Sequence, residues 1–204
     1  MYVPAHFREE NLSILHNFIK EHNFGILVTQ YEGVPFATHL PFVFYPERGP
    51  HGTLVAHMAR ANPHWRSFTS DSEALVIFSG PHAYISPSWY EVELSVPTWN
   101  YAAVHVYGYP RLIEDPQVLY SELKALIETH ESQFKHPWPF ALPADYTEKM
   151  MRGTVGFTLE ITRIEGKYKL SQNRTPSERA RVIAALETTH PDVAQLMKER
   201  EQSG

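Results

Sequence analysis

The 204-residue chain contains no cysteine. Disulfides, thiolate metal sites and cysteine nucleophiles are thereby excluded, and the lack of thiols fits a reducing compartment. No apolar run approaches the roughly 20 residues of a membrane-spanning helix. The opening MYVPAHFREE also lacks the basic-then-apolar order of a secretory signal, so the expectation is a cytoplasmic protein that does not enter a membrane. The two best-marked nucleotide cradles, Gly-x-Gly-x-x-Gly and the Walker loop, do not occur, and neither does a Gly-x-Ser-x-Gly elbow. There is no His-Glu-x-x-His, and His130, Glu131 and His136 have the wrong spacing to share a helical face. Basic charge is scarce too: 18 Lys and Arg face 23 Asp and Glu, a net charge of −5. Proteins that live on nucleic acid usually carry a basic balance or a basic face, so a nucleic-acid role here would need a local patch.

What the chain has in quantity is histidine (12), proline (16) and aromatic residues (13%), on an ordinary globular background of 43% hydrophobic residues. Flat, polar-tipped side chains on stiff loops suit a planar ligand; they equally suit a β-rich core. Leu12, Leu15, Phe18 and Ile19 recur at helical spacing and predict an amphipathic helix over 9–23. FGILVTQY and VPFATHLPFVFY, separated by Glu32-Gly33, read as a β-hairpin. Pro41 puts the second strand at an edge or a bulge, because proline cannot donate to the ladder. TLVAHM and EALVIFSG read as strands, GPHAYISPSWY as strand fragments among loops, and VPTWNYAAVHVYGYPRLIE as a long strand broken near Gly108. Asp115-Pro116 opens a helix with a stripe of Leu119, Leu123, Leu126 and Ile127. HPWPFALPADY reads as a loop and TVGFTLEITRIEGKYKL as a strand pair. A capping box at Thr175-Pro176-Ser177-Glu178 starts a helix to about Leu186, and Pro191 starts a last, polar one. Strands that follow one another at short spacing argue for an antiparallel sheet or barrel, mainly β with flanking helices, and not a βαβ sheet.

Four polar clusters could carry chemistry. Thr38 and His39 point to opposite faces of their strand, so at most one side chain faces a given pocket. In His57-Met58-Ala59-Arg60-Ala61-Asn62-Pro63 a strand runs into a short helix, which would offer free backbone N–H groups and a guanidinium to an anion; Arg60 alone fits an ordinary surface ion pair as well. Trp89, Tyr90, Trp99 and Tyr101, with His82, Ser86 and Asn100, could sandwich a polar-edged ring or simply pack a core. KYKLSQNR is basic, and from Arg163 to Arg181 six Lys and Arg meet only two acids, a stretch that could meet a phosphate, DNA or water. His39, His57, His82 and His105 sit on or near predicted strands, but nothing in their spacing demands a metal, and none is assigned.

Taken in order, MYVPAHF, THLPF, GTLVAHMARANPHW, GPHAYISPSWY, VPTWNYAAVHVYG and KLSQNR resemble the signature blocks of the PaiB family of bacterial FMN-binding negative transcriptional regulators. The resemblance spans residues 1–174, which it makes one FMN-binding split-barrel domain, with 175–204 as a helical appendage on it. It implies an antiparallel split β-barrel related to pyridoxamine-phosphate oxidase, a homodimer with FMN at the subunit interface, and repression of genes for degradative enzymes, notably proteases, and for sporulation. Gly33-Val34-Pro35 stands where those oxidases have a Gly-x-Pro turn, so Thr38, His39, Leu40 and Pro41 would line the flavin. Ala56 to Asn62, including His57, would form the phosphate end with Arg60 as its cation. Trp99 and Asn100 would approach the isoalloxazine, and Lys169, Gln172 and Arg174 could reach across from the other subunit. The chain departs from the oxidases in having Thr38 where they have arginine, and one basic residue in the phosphate turn where they have two. No catalytic residue is assigned, since the flavin itself would carry any redox step. A flavin-dependent oxidoreductase, or a haem-handling relative on the same barrel, is the alternative, and direct DNA contact would use Arg163 to Arg181.

Overall fold

The computed structural model describes residues 1–202. A short strand β1 (Arg8–Glu9) precedes helix α1 (Leu12–Glu21), followed by strands β2 (Phe24–Tyr31), β3 (Val34–Pro41), β4 (Val43–Tyr45), β5 (Thr53–Ala59), β6 (Ala74–Ile85) and β7 (Thr98–Leu112). Helices α2 (Pro116–Glu131) and α3 (Ala144–Arg152), the long strand β8 (Thr154–Lys169), and helices α4 (Pro176–Leu186) and α5 (Pro191–Gln202) complete the order. The strands form an antiparallel sheet in the order β3-β2-β6-β7-β8-β5-β4, with β1 beside β8.

The first hairpin is as the sequence predicts. β2 and β3 pair in register from Phe24–Pro41 to Tyr31–Val34. Its two-residue loop has positive φ at both Glu32 (52°) and Gly33 (80°), the geometry whose twist matches that of the flanking strands. Pro41 ends β3 at the border of the sheet, where its missing N–H costs nothing. Three expectations are corrected. β6 runs unbroken through Gly80-Pro81, β7 runs unbroken through Gly108, and 154–169 is one strand and not a pair. Gly108 is needed for closeness, because a Cβ there would strike the Glu160 carbonyl and the Leu159 side chain. Helix α3 lies partly in the stretch read as a loop, and none of its residues is buried.

The described residues cluster into two compact units. One comprises Ile19–Phe78 and His105–Ile164; the other comprises Met1–Phe18, Ser79–Val104 and the chain from Glu165 on. In the first, Leu27, Phe42, Leu54, Val76, Phe78, Val106, Phe157, Leu159 and Ile161 are sealed from solvent. Phe42 meets Phe78 and Phe157 edge-on, with centroids 5.6 and 6.4 Å apart. In the second, Leu15 and Phe18 of α1 pack at Gly166 and Tyr168 of β8; predicted Leu12 stays exposed. Glu178 and Thr175 exchange the reciprocal capping-box bonds at the start of α4, and α5 buries Val193, Ala194 and Met197 despite its polar composition.

Candidate functional site

In the first unit, the polar residues of β3 and of the turn after β5 converge on His64, which the sequence reading passed over. His64 sits in a 3-10 turn (Pro63–Ser67) whose N-cap is Asn62, with the proline at its first position. The ring is fully buried. Its Nδ1 lies 2.7 Å from Thr38 Oγ1 and its Nε2 lies 2.8 Å from Thr29 Oγ1. Asn62 Oδ1 accepts from the His64 N–H at 3.0 Å, while Asn62 Nδ2 donates to Thr38 Oγ1 at 3.1 Å. Burial without a compensating carboxylate drives the imidazole pKa down to about 4, so the ring is neutral near pH 7. Phe36 packs against the same ring at 4.9 Å. Alternation along β3 therefore turns Phe36 and Thr38 toward His64. His39 turns to the other face, where it is exposed beside Phe24. A motif search could not find His64, because its partners lie 26 and 35 residues away.

Arg60 follows β5 directly, in the turn, and remains exposed. Its Nε donates to the Arg152 carbonyl at 2.7 Å and its Nη2 to the Thr154 carbonyl at 2.9 Å. No carboxylate pairs with it among the described residues, so its charge is uncompensated while its geometry is braced. Part of the expected supply of free backbone donors is already used. The Arg60 N–H bonds the Gly153 carbonyl, the Asn62 N–H bonds Ala59, and the His64 N–H bonds Asn62. Arg60, Trp65, Glu148 and Arg152 rim a cavity of about 580 Å³ floored by Leu119 and Val155. Three expected residues present little side chain to a ligand. Leu40 and Ala56 are 6% and 4% exposed, and His57 lines a small void with Leu119, Leu123 and Leu126 of α2, where burial lowers its pKa. Pro41 is half-buried at the end of β3.

In the second unit, Trp99 is 52% exposed. Its ring lies 5.7 Å from that of His82 and 6.1 Å from that of Tyr84, which makes an open aromatic platform. Asn100 beside it is sealed; its amide donates to Ser171 Oγ at 3.0 Å and to Met197 Sδ at 3.3 Å. Asn100 therefore shapes this region through Ser171, a non-glycine residue held at φ 65°, and does not present its amide to a ligand. Lys169 Nζ donates to Thr98 Oγ1 and to the Trp99 carbonyl. No carboxylate pairs with it among the described residues. Burial, and then the charges of Lys167 and Arg174, lower its pKa, the environment of a cation that an anion would relieve. Gln172 is occupied locally, accepting from the Leu170 N–H and donating to the Tyr168 carbonyl. Arg174 lies over Tyr90 at 4.1 Å and 3.4 Å from Glu178.

The basic stretch from Arg163 to Arg181 is less basic in space than along the chain. Arg163 is 3.7 Å from Glu73, Arg179 is 2.8 Å from Glu201, and Arg181 is 3.6 Å from Glu91. Among the described residues no group of three or more His, Asp or Glu could hold a metal, and no helix is long and apolar enough to cross a membrane.

Residues 1–163 match the family described as "Putative FMN-binding domain". The chain is 40% identical over 201 residues to "Protease synthase and sporulation protein PAI 2" of Bacillus subtilis, covering 98% of this chain and 95% of that one. It is 31% identical over 244 residues to an uncharacterized protein of Emericella nidulans, covering 98% and 97%. Among solved structures, the flavocytochrome Anf3 of Azotobacter vinelandii shares the fold with a TM-score of 0.60 at 15% identity, covering 85% of this chain and 73% of that one. A FAD and heme binding protein of Mycobacterium smegmatis does so with a TM-score of 0.60 at 16% identity, covering 87% and 79%. The eight-stranded antiparallel sheet with flanking helices is that of the flavin-binding split barrels.

Proposed function

The chain belongs to the PaiB family of FMN-binding proteins, and from that premise we propose that it is a cytoplasmic regulator that holds FMN in a homodimer and acts, as its Bacillus subtilis relative is named, on protease synthesis and sporulation. The observation that carries this reading is the near-complete reciprocal coverage of that relative, 98% of this chain and 95% of the other. The two proteins therefore match along the whole barrel and the C-terminal helices. The cofactor is FMN.

The residues present fit FMN chemically. Arg60 in one unit and Lys169 in the other are cations without carboxylate partners among the described residues, the chemistry a phosphate monoester asks for. Thr38 and Asn62 offer neutral polar groups to a hydroxyl-rich chain or a ring edge, and Trp99 offers an aromatic face. In the first unit we assign Thr38, Arg60 and Asn62 to flavin contacts, with His39 and Pro41 at the border and Leu40, Ala56 and His57 as support; in the second unit, taken by itself, we assign Trp99 and Lys169, with Asn100 as support. Bound FMN would supply one- or two-electron chemistry; the chain's own side chains bind and orient it. Exposed Phe24, Leu94, Val96 and Trp99 are 63, 91, 69 and 52% accessible, apolar surface of the kind that a second copy covers.

Expression of the chain in a Bacillus subtilis strain lacking PAI 2, with secreted protease activity as readout, tests the regulatory role. Restoration of the normal protease level is expected; unchanged protease output sinks the proposal. Direct action on DNA would use a stretch in which Arg163, Arg174, Arg179 and Arg181 already carry acidic partners, so binding to promoter DNA should be weak and fall steeply with salt. Protein that leaves promoter DNA unshifted even at low salt would make the regulation indirect. The competing reading, a flavin-dependent oxidoreductase, would show as bleaching of the bound flavin on anaerobic mixing with NADH or NADPH.

For the phosphate, Arg60→Ala and Lys169→Gln should each weaken FMN more than riboflavin, because only FMN has the phosphate. Equal losses for both flavins would remove these residues from the phosphate site.

A further inference from the structure

The hydrogens in the His64 cluster can be placed by elimination, and their placement decides what kind of group Thr38 can bind. The Ser67 hydroxyl lies 2.7 Å from the His64 carbonyl, which can only accept, so the single Ser67 hydrogen points there. Ser67 Oγ is also 2.7 Å from Thr29 Oγ1; with its own hydrogen spent, Ser67 accepts and Thr29 donates. The Thr29 hydroxyl is then left to accept at its 2.8 Å contact with His64 Nε2, so Nε2 carries a hydrogen. A sealed ring with no carboxylate in its network is neutral, and a neutral imidazole has one N–H. Nδ1 is therefore bare, and at 2.7 Å it must accept the Thr38 hydrogen.

The orientation of Asn62 is settled independently. Its Oδ1 accepts from a backbone N–H, so its Nδ2 faces Thr38 and donates to Oγ1 at 3.1 Å. Thr38 Oγ1 has then given its hydrogen to His64 and one lone pair to Asn62. One acceptor lone pair is left on this half-buried hydroxyl, and one N–H is left on the Asn62 amide that contacts it.

We infer that His64 is a positioning residue that makes Thr38 an acceptor-only contact, so that Thr38 binds an O–H or N–H donor of the flavin and not its phosphate. This rests on the reading that FMN lies along β3. The donor is either a ribityl hydroxyl or the ring imide N–H. An unprotonated phosphate has only acceptor oxygens, and against Thr38 it would set acceptor on acceptor. The inference divides the site by chemistry. Thr38 and Asn62 form a neutral acceptor–donor pair for the uncharged part of FMN, and the phosphate is left to cations elsewhere.

The test combines two readouts on the full-length protein. Nitrogen-15 NMR of histidine-labelled flavin-free protein near pH 8 should show His64 with its proton on Nε2 and a bare Nδ1; a proton on Nδ1 overturns the inference. This readout needs no variant. Flavin titrations at the same pH, where the FMN phosphate carries no proton, then compare FMN, riboflavin and lumiflavin. Thr38→Val should weaken FMN and riboflavin by the same factor, about fivefold, the worth of one neutral hydrogen bond. Thr38→Ser, which keeps the acceptor, should bind as the parent does. A similar loss for lumiflavin, which has no ribityl chain, assigns the donor to the ring; no loss for lumiflavin assigns it to the ribityl chain. A loss confined to FMN overturns the inference while leaving the flavin on β3. If Thr38→Val binds every flavin as the parent does, FMN does not lie along β3, and the site reading fails with the inference resting on it.

Discussion

His64 carries more of the site's order than any residue that composition or motif points to. Its neutrality has a consequence for stability. In the folded protein it takes up a proton only near pH 4, whereas the unfolded imidazole does so near 6.5. Above pH 6.5 neither state binds that proton. As pH falls from 6.5 toward 4, the unfolded chain binds it and the folded one does not, so this group's contribution is lost with falling pH, by on the order of 3 kcal/mol. Urea unfolding between pH 4 and 8 should show that loss in the parent and a flatter profile in His64→Gln. Parallel profiles would mean that the ring is not held neutral. Two glycines show a related contrast between local and distant causes. Gly33 has nothing within 4 Å of a Cβ and is needed only for its φ of 80°, so Gly33→Ala should cost about 1 kcal/mol. Gly108 has ordinary dihedrals and is needed only because β8 passes so close. Gly108→Ala should cost about 3 kcal/mol by overpacking. Urea midpoints of the two variants compare them directly; equal midpoints would refute the distinction.

At the scale of elements, whatever is written in neighbouring residues was legible. The hairpin at Glu32-Gly33, the Asp115-Pro116 and Thr175-Glu178 helix starts and the edge position of Pro41 each follow from residues within a few positions of one another. What failed was the division of long strands. Gly108 looks like a break locally and 154–169 like a strand pair, yet β7 and β8 run on unbroken, as β6 does through Gly80-Pro81, because ladder pairing outweighs local turn preference. The α4 capping box is the clearest local device. Thr175→Ala removes the acceptor for the Glu178 N–H and should lower stability by about 1 kcal/mol. A thermal melt that did not move would deny the cap a role in stability.

At the scale of the whole molecule, ligand and partner should both appear as stability. If FMN binds the folded dimer, a flavin concentration of one hundred times Kd adds about 2.7 kcal/mol. The melting temperature should then rise with added FMN, and also with protein concentration. Light scattering that returned a monomer of 23.5 kDa in the presence of FMN would remove the shared site. By itself the sequence determined the fold class and the FMN-binding family, because ordered blocks and local caps are properties of the chain read in line. It could not determine how those residues are used. Arg60 is braced on Arg152 and Thr154, Asn100 is spent on Ser171 and Met197, and acids from elsewhere in the chain meet Arg163, Arg179 and Arg181. His64 orders Thr38 from 26 residues away. A hydrogen bond or an ion pair is decided by distance in space, and only the tertiary structure supplies that distance.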